Sequence, residues 1–219
     1  MKLISAKAWL FDLDGTLVDT APDLGYAANQ VRAELGLAPL PLLQYRPAAS
    51  SGARGLLRIA LGLTPEDADF PQRRDSFLAH YRAHLSRSSS LFPGIAAFLL
   101  ALELRGTRWG VVTNKPGWLT QPLINDLGLG TRAACIISGD STPNPKPAPD
   151  SLLLACEQLQ LTPRDCVYVG DDLRDIEAAR AAKMRSVAAG WGYEGSTPLA
   201  QWGADYVAPS ATDLSRMLS

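Results

Sequence analysis

Two short acidic clusters carry most of the chemistry this sequence can do. The first is Asp12-Leu13-Asp14-Gly15-Thr16, which follows the apolar run Ala8-Trp9-Leu10-Phe11. Alternate residues of an extended chain point the same way, so Asp12 and Asp14 can face one pocket. Gly15 permits a tight turn behind them. The second cluster is Gly170-Asp171-Asp172-Leu173-Arg174-Asp175, after the apolar run Cys166 to Val169. Asp171 and Asp175 lie four apart and share a face if a helix starts there, while Asp172 suits its cap. Carboxylates brought close repel unless a cation or a shared proton relieves them. Oxygen ligands with few carboxylates favour Mg²⁺. Taken singly, each cluster also reads as a strand-terminating loop. A calcium loop is excluded for the first, because the spaced acidic ligands and the closing Glu are absent.

Two further segments supply what an anionic, phosphate-like ligand needs. Val112-Thr113-Asn114 ends another apolar run with a hydroxyl and an amide. Lys146 stands in Pro143-Asn144-Pro145-Lys146-Pro147-Ala148-Pro149, where four prolines fix φ at four positions. A stiff loop of that kind can hold an ammonium group beside a phosphoryl group.

The elements that position these residues follow from hydrophobic patterning. Continuous apolar runs at 8–11, 109–112, 134–137, 166–169 and 186–189 predict strands buried on both faces of a parallel sheet. Helical patterns run between them, from Ile95 to Arg105, Trp118 to Leu127, Pro149 to Leu159 and Asp175 to Lys183. A short strand at Tyr206 to Ala208 and a last helix from Thr212 complete the set. The alternation predicts an α/β, doubly wound, Rossmann-like sheet. From Ala21 to Arg87 the pattern is helical with no strong strand. We read residues 21–87 as an inserted all-helical cap domain, and residues 1–20 and 88–219 as the catalytic core. Ser86-Arg87-Ser88-Ser89-Ser90 suits a hinge or linker.

Composition narrows the function classes. The chain has 219 residues, 47% of them hydrophobic, enough for one sizeable α/β core with a small insertion. A net charge of -1 gives no basic excess, so nucleic acid is not an expected partner. Arg73-Arg74 reads as a solvated helix face. Three cysteines, Cys135, Cys156 and Cys166, sit in apolar stretches without any CxxC, which argues for core packing in a reducing, cytoplasmic setting. No apolar run reaches a membrane span or a signal-peptide core, so no membrane association is expected. Both monomer and homodimer stay open.

The ordered set Asp12-x-Asp14-Gly15-Thr16, Thr113-Asn114, Lys146 and Gly170-Asp171-Asp172-x-x-Asp175 resembles the four motifs of the haloacid dehalogenase superfamily, over essentially the whole chain. The insertion after the first motif is similar to the helical cap of the phosphoglycolate phosphatase and β-phosphoglucomutase branch. Gly110-Val111-Val112-Thr113-Asn114-Lys115-Pro116 resembles phosphoglycolate phosphatases. Val169 to Ile176, with Ser51-Gly52-Ala53-Arg54, also looks like N-acetylmuramic acid 6-phosphate phosphatases. The resemblance implies a Mg²⁺-dependent hydrolase of small-molecule phosphate monoesters. Asp12 would be the nucleophile and Asp14 the general acid and base. Mg²⁺ would be held by the Asp12 carboxylate, the Asp14 carbonyl and Asp171, with Asp175 acting through water. Thr113 and Lys146 would grip the phosphoryl oxygens. Asn114, Thr16, Gly52 and Arg54 would bind substrate, with Arg54 pairing a carboxylate, and Asp172 would support the metal loop. The resemblance also implies a cis bond at Lys146-Pro147. A sugar phosphomutase using the same aspartyl-phosphate is the nearest alternative; a non-catalytic phospholigand-binding protein is the other. A dehalogenase fits less well, since that group lacks an acid/base Asp at the Asp14 position.

Two other patterns are set aside. Gly190-Trp191-Gly192-Tyr193-Glu194-Gly195 fits GxGxxG, but too little chain follows for a dinucleotide unit. It reads instead as a turn beside the site mouth, with Trp191 and Tyr193 near the substrate. His80 and His84 lie four apart, but Tyr81 stands where a zinc-protease motif needs Glu.

Overall fold

Strands buried on both faces need helices above and below them, and the computed structural model shows that arrangement. It describes residues 4–193 and 197–218; Glu194 and Gly195 of the GxGxxG match lie outside them. The strands are β1 (Ala8–Phe11), β2 (Val18–Asp19), β3 (Ser90–Leu91), β4 (Arg108–Val112), β5 (Ile136–Ile137), β6 (Cys166–Gly170), β7 (Arg185–Ala189) and β8 (Tyr206–Ala208). The helices are α1 (Ala21–Glu34), α2 (Leu42–Tyr45), α3 (Gly52–Leu61), α4 (Phe70–Ala83), α5 (Ile95–Leu104), α6 (Gly117–Asp126), α7 (Asp150–Leu159), α8 (Leu173–Ala181) and α9 (Ala211–Leu214).

Six strands form one parallel sheet in the order β5-β4-β1-β6-β7-β8. Successive residues of β1 enter opposite cores, as the period of two requires. Trp9 and Phe11 pack with Phe98 of α5. Ala8 and Leu10 join the layer that holds Leu152 and Ala155 of α7 and Ala178 of α8. The fold is therefore the doubly wound sheet that the patterning predicts. The chain runs outward from β1 to β4 and β5, then returns across β1 to β6. That reversal opens a crevice at the carboxyl ends of β1, β4 and β6.

The helical segment stands between β2 and β3, and α1, α3 and α4 pack on one another there. These two-residue strands pair antiparallel, with Val18 opposite Leu91 and Asp19 opposite Ser90. They tie together the two chain crossings, and no sequence pattern announced them. The serine run beyond α4 is not a loose linker. Buried Asp23 accepts the N–H groups of Ser88 and Ser89 and the Ser89 hydroxyl. Several expected boundaries move by one or two residues. β5 shortens to Ile136–Ile137, because Ala134 and Cys135 make only single backbone bonds to β4. Helix α8 starts at Leu173, two residues early, because Asp172 caps it and Asp175 closes the capping box. Asp171 therefore precedes the helix rather than sharing its face. Cys135, Cys156 and Cys166 are free and buried, as core packing requires.

Candidate active site

Asp12 is the first residue beyond β1. Its N–H donates to Val169 of β6 at 2.9 Å, so the chain is still in the sheet when the carboxylate emerges at the crevice. Asp171 and Asp175 reach the same point from the loop after β6 and the first turn of α8. Asp12, Asp171 and Asp175 each offer an oxygen within 4.8 Å of the others, and all three are buried. The chain leaves this space open by omitting a side chain. A Cβ on Gly15, whose φ is +85°, would stand 2.1 Å from Asp171 Oδ2.

Lys146 balances part of this charge. Its ammonium group is 3.0 Å from Asp12 Oδ1 and 2.7 Å from Asp175 Oδ1, and it donates to Val112 O and Tyr168 Oη as well. The Lys146-Pro147 bond is cis, as the resemblance implied. Asn114 fastens the proline loop. Its amide donates to Lys146 O at 3.0 Å and its carbonyl accepts Lys146 N–H at 2.9 Å. The Asn114 side chain is therefore a clamp on the lysine, and Asn114 also lines the cavity, where its backbone N–H was expected to serve the phosphoryl group.

The second aspartate of the pair faces other partners. Asp14 accepts the Thr20 hydroxyl at 2.6 Å and the Lys115 ammonium at 3.0 and 3.3 Å. Lys115 also donates to Tyr81 Oη of α4 at 2.8 Å. Thr113 is buried after β4; its hydroxyl accepts Lys115 N–H at 3.1 Å and lines the cavity. Thr16 is fully buried, and its hydroxyl donates to Asp171 at 2.7 Å rather than lining the cavity. Asp172 accepts Arg174 N–H and forms an ion pair with the Arg174 guanidinium at 2.8 Å.

The electrostatics follow from burial with too little positive charge. Burial pushes the Asp12 carboxyl up to about 6; Lys146 opposes this, and Asp175 and Asp14 add to it. Asp171 is pushed well above the usual carboxylate range by burial first, then by Asp12 and Asp175. Its hydrogen bonds from Thr16 and Tyr193 oppose the shift. Burial works against the charge on both lysines, but carboxylates outweigh it. Asp12 and Asp175 raise Lys146, and Asp14 with Tyr81 raises Lys115. Lys146 bonds Asp12 and Asp175 but leaves Asp171 without an ammonium partner at hydrogen-bond distance. This acidic, all-oxygen set fits a hard divalent cation.

Above this floor lies a cavity of about 750 Å³, walled on the opposite side by α3, α4 and the turn before α3. Gly52, Arg54, Phe77 and Tyr81 are among the residues on that wall. Residues 9–189 match the haloacid dehalogenase-like hydrolase family. The chain belongs to that family. It is a phosphoric monoester hydrolase, similar to phosphoglycolate phosphatases. It is 43% identical to the phosphoglycolate phosphatase of Xylella fastidiosa over 218 residues, covering 94% of this chain and 90% of that one. It is 39% identical to the N-acetylmuramic acid 6-phosphate phosphatase of Pseudomonas aeruginosa over 219 residues, covering 100% and 97%. Among solved structures, a protein of Haemophilus somnus described as a predicted phosphoglycolate phosphatase superposes with a TM-score of 0.85. It is 28% identical, with 98% of each chain covered.

For a member of this family, the structure gathers Asp12, Asp14, Thr113, Lys146 and Asp175 around one cavity. Gly52 and exposed Arg54 stand across from them. Trp191 and Tyr193 do not line the cavity. Trp191 donates to Thr16 O, and buried Tyr193 accepts N–H groups from Thr20 and Ala21 beneath the entry to the helical segment. His80 pairs with Glu34 at 2.7 Å, and His84 pairs with Asp23 at 3.0 Å. Arg74 is exposed, as expected of a solvated face, and also lines the cavity while pairing with Asp75.

Sequence reasoning missed the contacts between the helical segment and the core, among them three close to the site. Lys115 bonds Tyr81, Ser50 Oγ donates to Asp171 at 3.1 Å, and Arg174 donates to Ser50 O at 2.9 Å. The Lys115 that follows Thr113-Asn114 was the one available signal.

Proposed function

We propose that the chain hydrolyses a small phosphate monoester bearing a carboxylate, through a phosphorylated Asp12. The observation that carries this reading is the position of Asp12. Its carboxylate is held at 3.0 Å from the Lys146 ammonium, at the floor of the cavity. Asp12 would attack phosphorus and displace the alcohol. Asp14 would protonate the departing oxygen and later take a proton from water. Thr113 and Lys146 would orient the phosphoryl oxygens, which is most of what phosphoryl transfer asks of a protein. Asp12 and Asp171 with the Asp14 carbonyl would hold Mg²⁺, and Asp175 would act through water. When bound, the ion supplies charge neutralisation for the phosphoryl group.

Residues 21–87 would serve as a cap, with 1–20 and 88–219 as the core. Both phosphoglycolate and a lactyl-bearing sugar phosphate present a carboxylate, and Arg54, which lines the cavity, would pair with it. A cytoplasmic setting is part of this reading, supported by three free, buried cysteines; no helix among the described residues is long and apolar enough to cross a membrane. Phosphate release with Mg²⁺ from 2-phosphoglycolate, N-acetylmuramic acid 6-phosphate, plain sugar phosphates and nucleotides tests the reading. Preference for either carboxylate-bearing ester is the expected result. Equal turnover of plain sugar phosphates refutes the carboxylate specificity, and a sugar bisphosphate product in place of free phosphate refutes hydrolysis.

A further inference from the structure

Lys115 is not a surface lysine. It is 9% exposed, two residues beyond Thr113, and its backbone is fixed from both sides. Its N–H donates to Thr113 Oγ1 at 3.1 Å, and its carbonyl accepts the Thr120 hydroxyl at 3.0 Å. The ammonium group stands between two partners from different parts of the chain. One is the Asp14 carboxylate, 3.0 Å away on the core. The other is Tyr81 of α4, whose hydroxyl is at 2.8 Å and whose ring centroid is at 4.5 Å. Tyr81 is itself buried, at 1% exposure.

This arrangement gives Asp14 two restraints of different origin. Thr20, at the entry to the helical segment, holds Oδ1 at 2.6 Å. Lys115 spans Oδ1 and Oδ2 and stops the carboxyl group from turning about that first bond. The Lys115 ammonium is in turn held by a hydroxyl that belongs to α4. Moving α4 away from the sheet removes that hydroxyl and loosens Lys115, and with it Asp14. A general base works only within hydrogen-bond reach of the proton it takes, so this orientation matters to the rate.

We infer that Lys115 is a positioning residue, coupling the seating of α4 over the site to the orientation of Asp14, and so governing hydrolysis of the phosphorylated Asp12. The inference rests on the reading of Asp14 as acid and base. In the first step the Asp12–phosphorus bond forms, the phosphorus–alkoxide bond breaks, and the alcohol oxygen receives the Asp14 proton. In the second, the water–phosphorus bond forms, the Asp12–phosphorus bond breaks, and Asp14 receives the water proton. A good leaving group such as p-nitrophenolate dispenses with the acid in the first step but not with the base in the second.

Rapid-mixing kinetics with p-nitrophenyl phosphate and Mg²⁺ separate the two steps. Lys115→Met should give a burst of about one p-nitrophenol per enzyme. The ratio of burst rate to steady-state rate should rise about tenfold or more over the unaltered enzyme. Lys115→Arg should recover part of the steady-state rate. Tyr81→Phe keeps the ring and removes the hydroxyl; it should slow the steady state in the same direction. The double variant should be no slower than Lys115→Met alone, because both act through one ammonium group. Asp14→Asn is the control. If it shows no raised ratio, the acid/base reading of Asp14 fails. If Asp14→Asn shows it and Lys115→Met does not, the inference about Lys115 fails. Should Lys115→Met not fold, an unchanged steady state in Tyr81→Phe overturns the coupling to α4.

Discussion

Replacing Asp171 by Asn should stabilise the metal-free protein while removing the Mg²⁺ response. Three buried carboxylates share a space in which each offers an oxygen within 4.8 Å of the others, and of the three the Lys146 ammonium pairs with Asp12 and Asp175. At an effective dielectric of ~20, two unit charges ~5 Å apart repel by roughly 3 kcal/mol. Asn removes the Asp171 share of that repulsion and fits its partners. Its carbonyl can accept Tyr193 N–H and the Ser50 hydroxyl, and its amide can donate to Thr16 once that hydroxyl turns. The native protein already relieves part of the strain by taking up protons, so the net gain should be about 1–3 kcal/mol. For a chain of this size that is a rise in Tm of roughly 2–10 °C.

The pH dependence of this gain has a definite sign. An acid whose pKa is raised in the fold binds more protons folded than unfolded, so its ionised form lowers stability as pH rises. Asp171 is raised well above its ordinary value and Asp12 to about 6. The advantage of Asp171→Asn in EDTA should therefore grow as pH rises above the ordinary carboxylate range and disappear as pH falls back into it. Saturating Mg²⁺ should reverse the order, because only the unaltered site gains binding free energy. Thermal unfolding with and without Mg²⁺ across this range is the assay. A variant no more stable than the unaltered chain in EDTA at pH 8, or one stabilised equally by Mg²⁺, refutes the reasoning.

Three other outcomes are expected. Asp12→Asn should lower phosphate release by about 10³-fold or more, since the amide cannot attack phosphorus; near-normal turnover by a phosphate assay would remove the nucleophile assignment. Gly15→Ala should destabilise by about 2 kcal/mol or more, because φ is +85° and the new Cβ would stand 2.1 Å from Asp171 Oδ2. Denaturant unfolding measures that loss, and a neutral result would mean that Asp171 moves freely. Arg54→Ala should raise KM for a carboxylate-bearing substrate about tenfold and leave p-nitrophenyl phosphate nearly unchanged. Equal effects on both substrates would take Arg54 out of recognition.

The sheet was legible because burial on both faces leaves an unbroken apolar run, and β1, β4, β6 and β7 all carry one. The acidic residues were legible because they are the first polar groups after such runs, and a strand end fixes where its next side chains emerge. Side-chain partners were not legible. Thr16 and Asn114 stand close to the site, yet their polar groups serve Asp171 and the Lys146 loop. Spacing gives a residue its neighbourhood but not the direction of its hydrogen bonds. The contacts between the helical segment and the core were the least legible. Lys115 meets Tyr81 across 34 residues, and Ser50 meets Asp171 across 121. Nothing local marks a lysine or a serine for such a partner.

The two aspartates of the first motif have different surroundings, which supports the two different tasks proposed for them. They are separated by a single residue, but each faces a different ammonium group. Lys146, from the proline loop, meets Asp12 and is shared with Asp175. Lys115, beyond β4, meets Asp14. The Asp12 side therefore keeps an excess of negative charge that a divalent cation and a phosphoryl group can complete. The Asp14 side is balanced by its own lysine and lies outside the three-carboxylate cluster. Environment rather than residue type sets such roles apart. The Tyr81 hydroxyl contacts only the second of these lysines, so a movement of α4 would act on Asp14, the proposed acid and base, and leave the ion pair of Asp12, the proposed nucleophile, intact.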